Sequence, residues 1–378
     1  MNIVIVGPAY PLRGGIAHYN TLLASHLRKR HDVHVVTFKR QYPSILFPGT
    51  SQEEPGGKQM SPPAEVMIDS INPFNWLRVA AHLRKQNPHL IIFTYWMPFF
   101  GPCLGTIARF AKRGTNVKIM YLCHNIVPHE RRPGDLGFTK FAFRPADYYI
   151  VQSDAVEKDL LKLNPHAVFR KTAHPVYGIF GEPVAKETAR QELGISAKKV
   201  MLYFGYVRAY KGLMVLIEAM KKLVEHGWRA HDFQLLVVGE FYDNEQKYRL
   251  RVSELGLDSI VQFHSGYVPN DRVRIYFSAV DVVVLPYRSA TQSGIIQIAY
   301  NFDKPVITTN VGGLAEVVPD GKTGFVVPPD DPESLASAIR RFYEENREPE
   351  FAMNVHREKE KYSWEKVVAA IEELMGNN

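Results

Sequence analysis

The chain has 378 residues, of which 46% are hydrophobic and 22% charged. That is enough apolar material for two or three cores, and it excludes a disordered or fibrous protein. The net charge of +7 is unevenly divided: residues 1–180 carry 22 Lys and Arg against 11 Asp and Glu, while 181–378 carry 24 against 28. A strongly basic half therefore precedes a slightly acidic one, which points to two surfaces with different partners, either nucleic acid or an anionic membrane face meeting the first. Two cysteines, Cys103 and Cys123, exclude a disulfide framework and a Cys-based zinc site. In their apolar runs they read as packing residues in a reducing compartment.

The apolar run Asn2–Val6, closed by Gly7, reads as a buried parallel strand. Its start at Asn2 leaves no room for a signal peptide, and no run of 18 uncharged apolar residues offers a spanning helix. Ile16, Tyr19, Leu22, Leu23 and Leu27 follow at helical spacing, and Val33–Thr37 is the next strand, completing a βαβ unit. Residues 41–63 are rich in Pro, Gly, Ser and Glu and read as a long mobile loop. Strands are predicted at 90–94, 118–122 and 148–151, with helices at 74–86, 100–113 and 153–163. The unpatterned stretch 174–198 reads as an interdomain linker, which gives a first domain over 1–173. The alternation restarts with strands at 200–204, 234–238, 260–263, 282–285, 305–308 and 325–327. Helices are expected at 213–226, 244–255, 270–279, 332–345 and 364–375. Two α/β series joined by one hinge predict two Rossmann-like parallel-sheet domains facing across a cleft, with chemistry in the loops after strands.

Those loops carry the candidate residues. Gly14-Gly15 precede the first helix, where paired glycines allow close backbone approach and the helix start offers N–H groups to an anion. A structural turn is an equally good reading of these two alone. The pattern is not G-x-G-x-x-G, and Thr37-Phe38-Lys39 supplies no acid for a ribose, which argues against NAD(P). In Gly205-Tyr206-Val207-Arg208-Ala209-Tyr210-Lys211-Gly212 two cations precede a helix, against its dipole. A guanidinium fork and an ammonium there suit a diphosphate. Thr291-Gln292-Ser293-Gly294-Ile295, ahead of Gln297, presents a capping hydroxyl and N–H groups to an oxyanion. His124-Asn125, Gly239-Glu240, Gly266-Tyr267-Val268 and Gly312-Gly313 with Glu316 also follow strands, and Gly266-Tyr267-Val268 could receive a flat ring.

Five of these motifs stand in one order: G-G, H-N, G-x-x-R-x-x-K-G, P-V-I-x-T-x-V-G-G-L-x-E-V-V from Pro305, and G-x-T-G-F-V-V-P-P from Gly321. Across nearly the full chain this resembles family 4 of the retaining glycosyltransferases. The resemblance implies a metal-independent GT-B enzyme needing no cofactor, with an acceptor-binding first domain and a nucleotide-sugar-binding domain over 199–360. Its last helix, within 361–378, would cross back to the first domain. It further implies that Arg208 and Lys211 bind the donor diphosphate, that Gly14 and Gly15 lie against phosphates and sugar, that His124 contacts the transferred sugar, and that Gly266, Tyr267 and Val268 lie by the base. The chain departs from the family in one respect. Ala290 and Ile298 stand where two glutamates eight positions apart usually hold the sugar and ribose, so Gln297 or Glu316 would have to substitute.

Charge logic suggests the mechanism. Arg208, Lys211 and the N–H groups at Ser293–Ile295 can stabilise a diphosphate leaving group, and no carboxylate pair brackets the site as in a hydrolase. Front-face transfer with retention is the expected route, from a UDP- or GDP-sugar to a glycan or lipid-linked acceptor in cell-surface polysaccharide or glycolipid synthesis. The basic clusters 26–30 and 109–113, with Trp76 and Trp96–Phe100 as exposed aromatics, predict a cytoplasmic protein peripheral to an anionic membrane. No aromatic-basic nucleic-acid motif is present. A nucleotide-sugar-binding protein without transfer activity is the rival reading.

Overall fold

The computed structural model describes residues 1–43, 51–54, 63–128 and 132–376. They form two units: Met1–Pro175 with Ser363–Asn378, and Val176–Tyr362. The first unit runs β1 (Asn2–Val6), α1 (Gly15–Leu27), β2 (Asp32–Arg40), β3 (Glu65–Asp69), α2 (Pro73–Lys85), β4 (Leu90–Tyr95), α3 (Gly101–Lys112), β5 (Lys118–Cys123), α4 (Asp135–Phe143), β6 (Tyr148–Val151), α5 (Asp154–Leu163) and β7 (Phe169–Lys171). Its seven parallel strands lie in the order β3-β2-β1-β4-β5-β6-β7. The central strands β1 and β4 are almost wholly buried, which is why they read as unbroken apolar runs.

The second unit has α6 (Lys186–Glu192), β8 (Lys199–Phe204), α7 (Leu213–Glu225), β9 (Phe233–Gly239), α8 (Glu245–Glu254), β10 (Val261–Ser265), α9 (Asn270–Ala279), β11 (Val282–Leu285), α10 (Gly294–Asn301), β12 (Val306–Thr309), α11 (Leu314–Val317), β13 (Gly324–Val327), α12 (Pro332–Glu344) and α13 (Glu348–Glu358). Its order is β10-β9-β8-β11-β12-β13. Each sheet is thus doubly wound, reversing between β1 and β4 in one unit and between β8 and β11 in the other. Loops at such a reversal leave in opposite directions and open a crevice at the strand ends.

The segment expected as a linker, 174–198, is structured from Val176 onward as part of the second unit. It holds α6, whose Arg190 donates to Ala279 O at 2.8 Å and to the buried Asp281 carboxylate at 2.8 Å. The last helix, α14 (Trp364–Gly376), belongs to the first unit. There Arg30 and His31 each reach Glu372 at 2.8 Å, and His26 stacks on Trp364 at 5.5 Å. The loop expected over 41–63 falls largely outside the described residues. Of its described residues, 51–54 pair with the glycine loop through Leu12 and Glu53.

Candidate functional site

In the second unit the informative residues gather at the ends of β8 and β11. Gly205 directly follows β8, and a side-chain carbon placed there would lie 3.2 Å from Ile295 Cδ1 and 3.5 Å from Lys211 Nζ. The bare glycine backbone is therefore the floor between the Lys211 ammonium and the start of α10. Arg208 follows in extended conformation, and Ala209–Lys211 make one 3-10 turn. Gly212, at φ +72°, then opens α7; a β-carbon there would fall 1.8 Å from Pro286 O, so no other residue fits without displacing the loop after β11. Arg288 N–H donates to Tyr210 O at 2.7 Å and ties the two loops together.

The cations are held by aromatic faces. Arg208 Cζ lies 4.9 Å from the Tyr242 ring, which stacks on Tyr206 at 4.6 Å. Lys211 Nζ lies 5.4 Å from the buried Tyr287 ring. Burial, and secondly the charge of Arg208, lower the Lys211 pKa to about 8. Among the described residues neither cation has an ion-pair partner, and each feels the other's charge, an arrangement that an anionic ligand relieves.

Ser293 caps α10, its Oγ accepting from Ile295 N at 3.3 Å and lying 3.5 Å from the Tyr287 hydroxyl. The Ile295 N–H is thus already engaged, contrary to the expectation that it would serve an oxyanion. Among the described residues the N–H groups of Ser293 and Gly294 have no acceptor. Gly294 packs on the Tyr177 ring. Thr291 O accepts from Gly313 N at 3.0 Å, so the glycine turn after β12 holds the 291–293 loop. Gln292 in that loop is half-buried. Gln297 is 1% exposed, and its Oε1 has no partner among the described residues. A buried acceptor left unpaired is costly, and a ligand hydroxyl would satisfy it.

Glu240 is buried beside β8: its carbonyl accepts from Val207 N at 2.9 Å, and Gly239 O accepts from Gly266 N at 3.1 Å. Gly266, Tyr267 and Val268 are half-buried past the end of β10, with open space above the Gly266 α-carbon. Glu316 is exposed on α11, and its charge is felt by the Tyr362 phenol. Ala290 and Ile298 are both buried.

In the first unit Gly14, at φ 108°, caps α1 without a side-chain bond, and nothing lies within 4 Å of where a Gly15 β-carbon would stand. Their loop is covered on one side, Arg13 N donating to Gln52 O at 3.0 Å and Glu54 N to Pro11 O at 2.9 Å. His124 is buried at the end of β5, edge-on to Tyr19 at 4.7 Å and 6.1 Å from the His174 ring. Burial, then His174, push its pKa down to about 3, with a Gln152 hydrogen bond opposing. His124 is therefore a neutral imidazole that can accept or donate a hydrogen bond, not a cation at neutral pH. His174, pushed down to about 4 by burial, and Gln152, donating to Tyr19 OH at 2.8 Å, complete the cluster. Sequence reading missed His174, Tyr19 and Gln152 because nothing local links them. It equally missed the Tyr206, Tyr242 and Tyr287 faces under the cations. Among the described residues no three His, Cys, Asp or Glu side chains are grouped to hold a metal ion.

Comparison with known proteins bears on both units. Residues 13–169 match the family model described as Glycosyltransferase Family 4, and residues 198–345 the one described as Glycosyl transferases group 1. A D-inositol 3-phosphate glycosyltransferase of Corynebacterium urealyticum is 31% identical over 204 residues, covering 51% of this chain and 47% of that protein. The alpha-D-kanosaminyltransferase of Streptomyces kanamyceticus is 27% identical over 156 residues, 41% of this chain and 39% of that one. The chain thus spans less than half the length of these curated relatives. Among solved structures, sucrose-phosphate synthase from Thermosynechococcus elongatus superposes with a TM-score of 0.75 at 21% identity, covering 99% and 98% of the two chains. HepE of Anabaena, in complex with UDP and glucose, does so with 0.76 at 20% identity and full coverage of both. At these identities the likeness is one of fold.

Proposed function

The chain belongs to the GT4-type glycosyltransferases, and from that premise we propose that it moves a hexose from a nucleotide diphosphate sugar to a glycan or lipid-linked acceptor, with retention and without a metal ion. The observation that carries the reading is the meeting of Lys211, Gly205 and the start of α10 at the β8–β11 reversal, with Arg208 beside them. Breaking the glycosidic C–O bond leaves an electron pair on the β-phosphate oxygen. Arg208, Lys211 and the N–H groups of Ser293 and Gly294 stabilise that charge. The acceptor oxygen attacks on the same face, and its proton passes to the leaving phosphate oxygen. Gln297 Oε1 takes a donor hydroxyl in place of the absent glutamates, and neutral His124 hydrogen-bonds the sugar. Gly14 and Gly15 approach the donor, Glu240 and Gly266–Val268 serve the nucleoside, and Thr291 and Gln292 shape the donor loop. Glu316, on α11, is the other residue that would substitute for the absent glutamates.

A UDP-sugar is the first donor to test, since the HepE structures carry UDP and UDP-glucose; the curated relatives named as transferases support the reaction class. We place the enzyme in cell-surface polysaccharide or glycolipid synthesis, at the cytoplasmic face of a membrane, on the strength of its basic first half. The test is the Arg208→Ala, Lys211→Ala double variant, which should lose about 10²–10³-fold or more in turnover with an unchanged melting curve. Near-normal turnover would remove the mechanism. Ala290 and Ile298 favour one other reading, a protein that binds the donor without transferring it. Tight UDP-sugar binding without hydrolysis or transfer across an acceptor panel would select it.

A further inference from the structure

The exposed large apolar side chains are unevenly placed. Among the described residues only Leu250 and Met353 lie in the second unit; the rest are in the first. Several gather on α2, α3 and α4, which pack side by side in that order. Gly101 and Gly105 of α3 bring α4 against it: a β-carbon on either would lie under 3 Å from the backbone of Phe138 or Ala142. Phe74 is 85% exposed and Leu77 43% on the first two turns of α2; Leu136 is 57% and Phe138 45% exposed on the first turn of α4. In a doubly wound sheet these helix starts sit at the strand carboxyl ends, so the apolar tips line one rim of the unit.

The same three helices are strongly basic. They hold six Lys and Arg and one acid, Asp135, whose carboxylate accepts from Arg132 N. Of these Arg78, Arg84, Lys85 and Lys140, together with Arg113 and Arg144 just past the ends of α3 and α4, are exposed and form no ion pair among the described residues, whereas Lys112 pairs with Asp147 at 2.7 Å. The other basic cluster, on α1, is neutralised within the fold: Arg30 and His31 meet Glu372, and Lys29 lies 3.8 Å from Glu365. The aromatics expected at the surface are buried or half-buried. Phe100 is fully buried, Trp76 donates to Asp69 O at 2.7 Å, and Trp96 donates to Tyr42 OH at 3.0 Å.

We propose that the α2–α3–α4 face of the first unit docks on an anionic lipid bilayer. Phe74, Leu77, Leu136 and Phe138 enter the headgroup layer, and the unpaired cations along the helices face the lipid phosphates. Cations alone would suit any polyanion. It is the exposed aromatic and aliphatic tips at the starts of the same helices, whose ends carry Arg84, Lys85, Arg113 and Arg144, that select a lipid surface, where apolar burial and counter-charge act together. No helix among the described residues is long and apolar enough to cross a membrane, so this docking is to one face. The inference deepens the reading of a lipid-linked acceptor, but its test needs no donor, so the two can fail separately.

The experiment is flotation of the full chain with phosphatidylcholine vesicles, with and without about 30% phosphatidylglycerol. Binding is expected only to the anionic vesicles, and should fall about tenfold or more between about 50 mM and about 500 mM salt. The Arg84→Glu, Lys85→Glu variant should weaken binding at least about tenfold, and Phe74→Ser, Leu136→Ser about tenfold. All four side chains are exposed, and unchanged melting curves check that the variants fold. Lys198→Glu, Arg229→Glu, the same charge change in the second unit, should bind as the parent does. Equal binding to neutral vesicles, or an equal loss in this control, would overturn the proposal. So would retention on heparin or duplex DNA without vesicle binding, which would assign the face to a polyanion.

Discussion

If Lys211 grips the donor diphosphate, donor affinity must depend on pH in a defined direction. In the free protein its pKa is lowered to about 8, by burial first and Arg208 second. A bound pyrophosphate favours the ammonium and raises that pKa, so binding takes up protons. With a free pKa near 8, the charged fraction falls from about nine-tenths at pH ~7 to about a quarter at pH ~8.5. Donor Kd should therefore rise about fourfold over that span, ~0.8 kcal/mol, while the diphosphate itself keeps its charge. Calorimetric titration of UDP-glucose in buffers of different ionisation heat should show uptake of about half a proton near pH ~8. Lys304, also lowered to about 8 by burial, titrates over the same span, so Lys211→Met is the deciding variant. It should bind more weakly and lose the slope, whereas Arg208→Ala should move the midpoint upward. Affinity flat from pH ~7 to ~8.5 in the parent, or the same slope in Lys211→Met, would refute the placement of the diphosphate against this ammonium.

Three further outcomes follow from the geometry. Gly212→Ala forces a β-carbon onto Pro286 O at positive φ and should cost about 1–3 kcal/mol or more of stability, read by denaturant unfolding. An unchanged midpoint would mean the loops are not clamped there. Gln297→Leu removes an unpaired buried acceptor, so it should weaken donor binding about 5–30-fold without lowering the melting temperature; unchanged affinity would give Gln297 a packing role only. His18, His124 and His174 are buried with pKa values lowered to about 4, 3 and 4. The unfolded chain binds more protons than the native one below the ordinary histidine value, so stability should drop as pH falls from about 6.5 toward 4. His174→Gln should reduce that slope, and an equally steep loss in the variant would place the acid sensitivity elsewhere.

Much of the fold was legible in the residues because buried parallel strands announce themselves locally. Tyr148–Val151 and Val282–Leu285 were bounded to the residue, since each is an uninterrupted apolar run between polar breaks. The motif order Gly205, Arg208, Lys211, Gly212 was equally local, because the chain must turn there to leave the strand and enter α7. The edge strands β3 and β7 escaped notice, being mixed in burial and so without an apolar signature. α6 was hidden in a polar stretch because one buried residue, Ala189, gives no periodicity. Only the tertiary structure decided which charges are free. It set Glu372 against Arg30 and His31 across some 340 positions while leaving Arg84 and Lys85 bare. It likewise packed Tyr287 under Lys211 and Tyr19 and His174 around His124. Sequence determines local conformation through steric and hydrophobic periodicity, whereas burial and electrostatic environment are properties of neighbours in space, and they exist only once distant segments have packed.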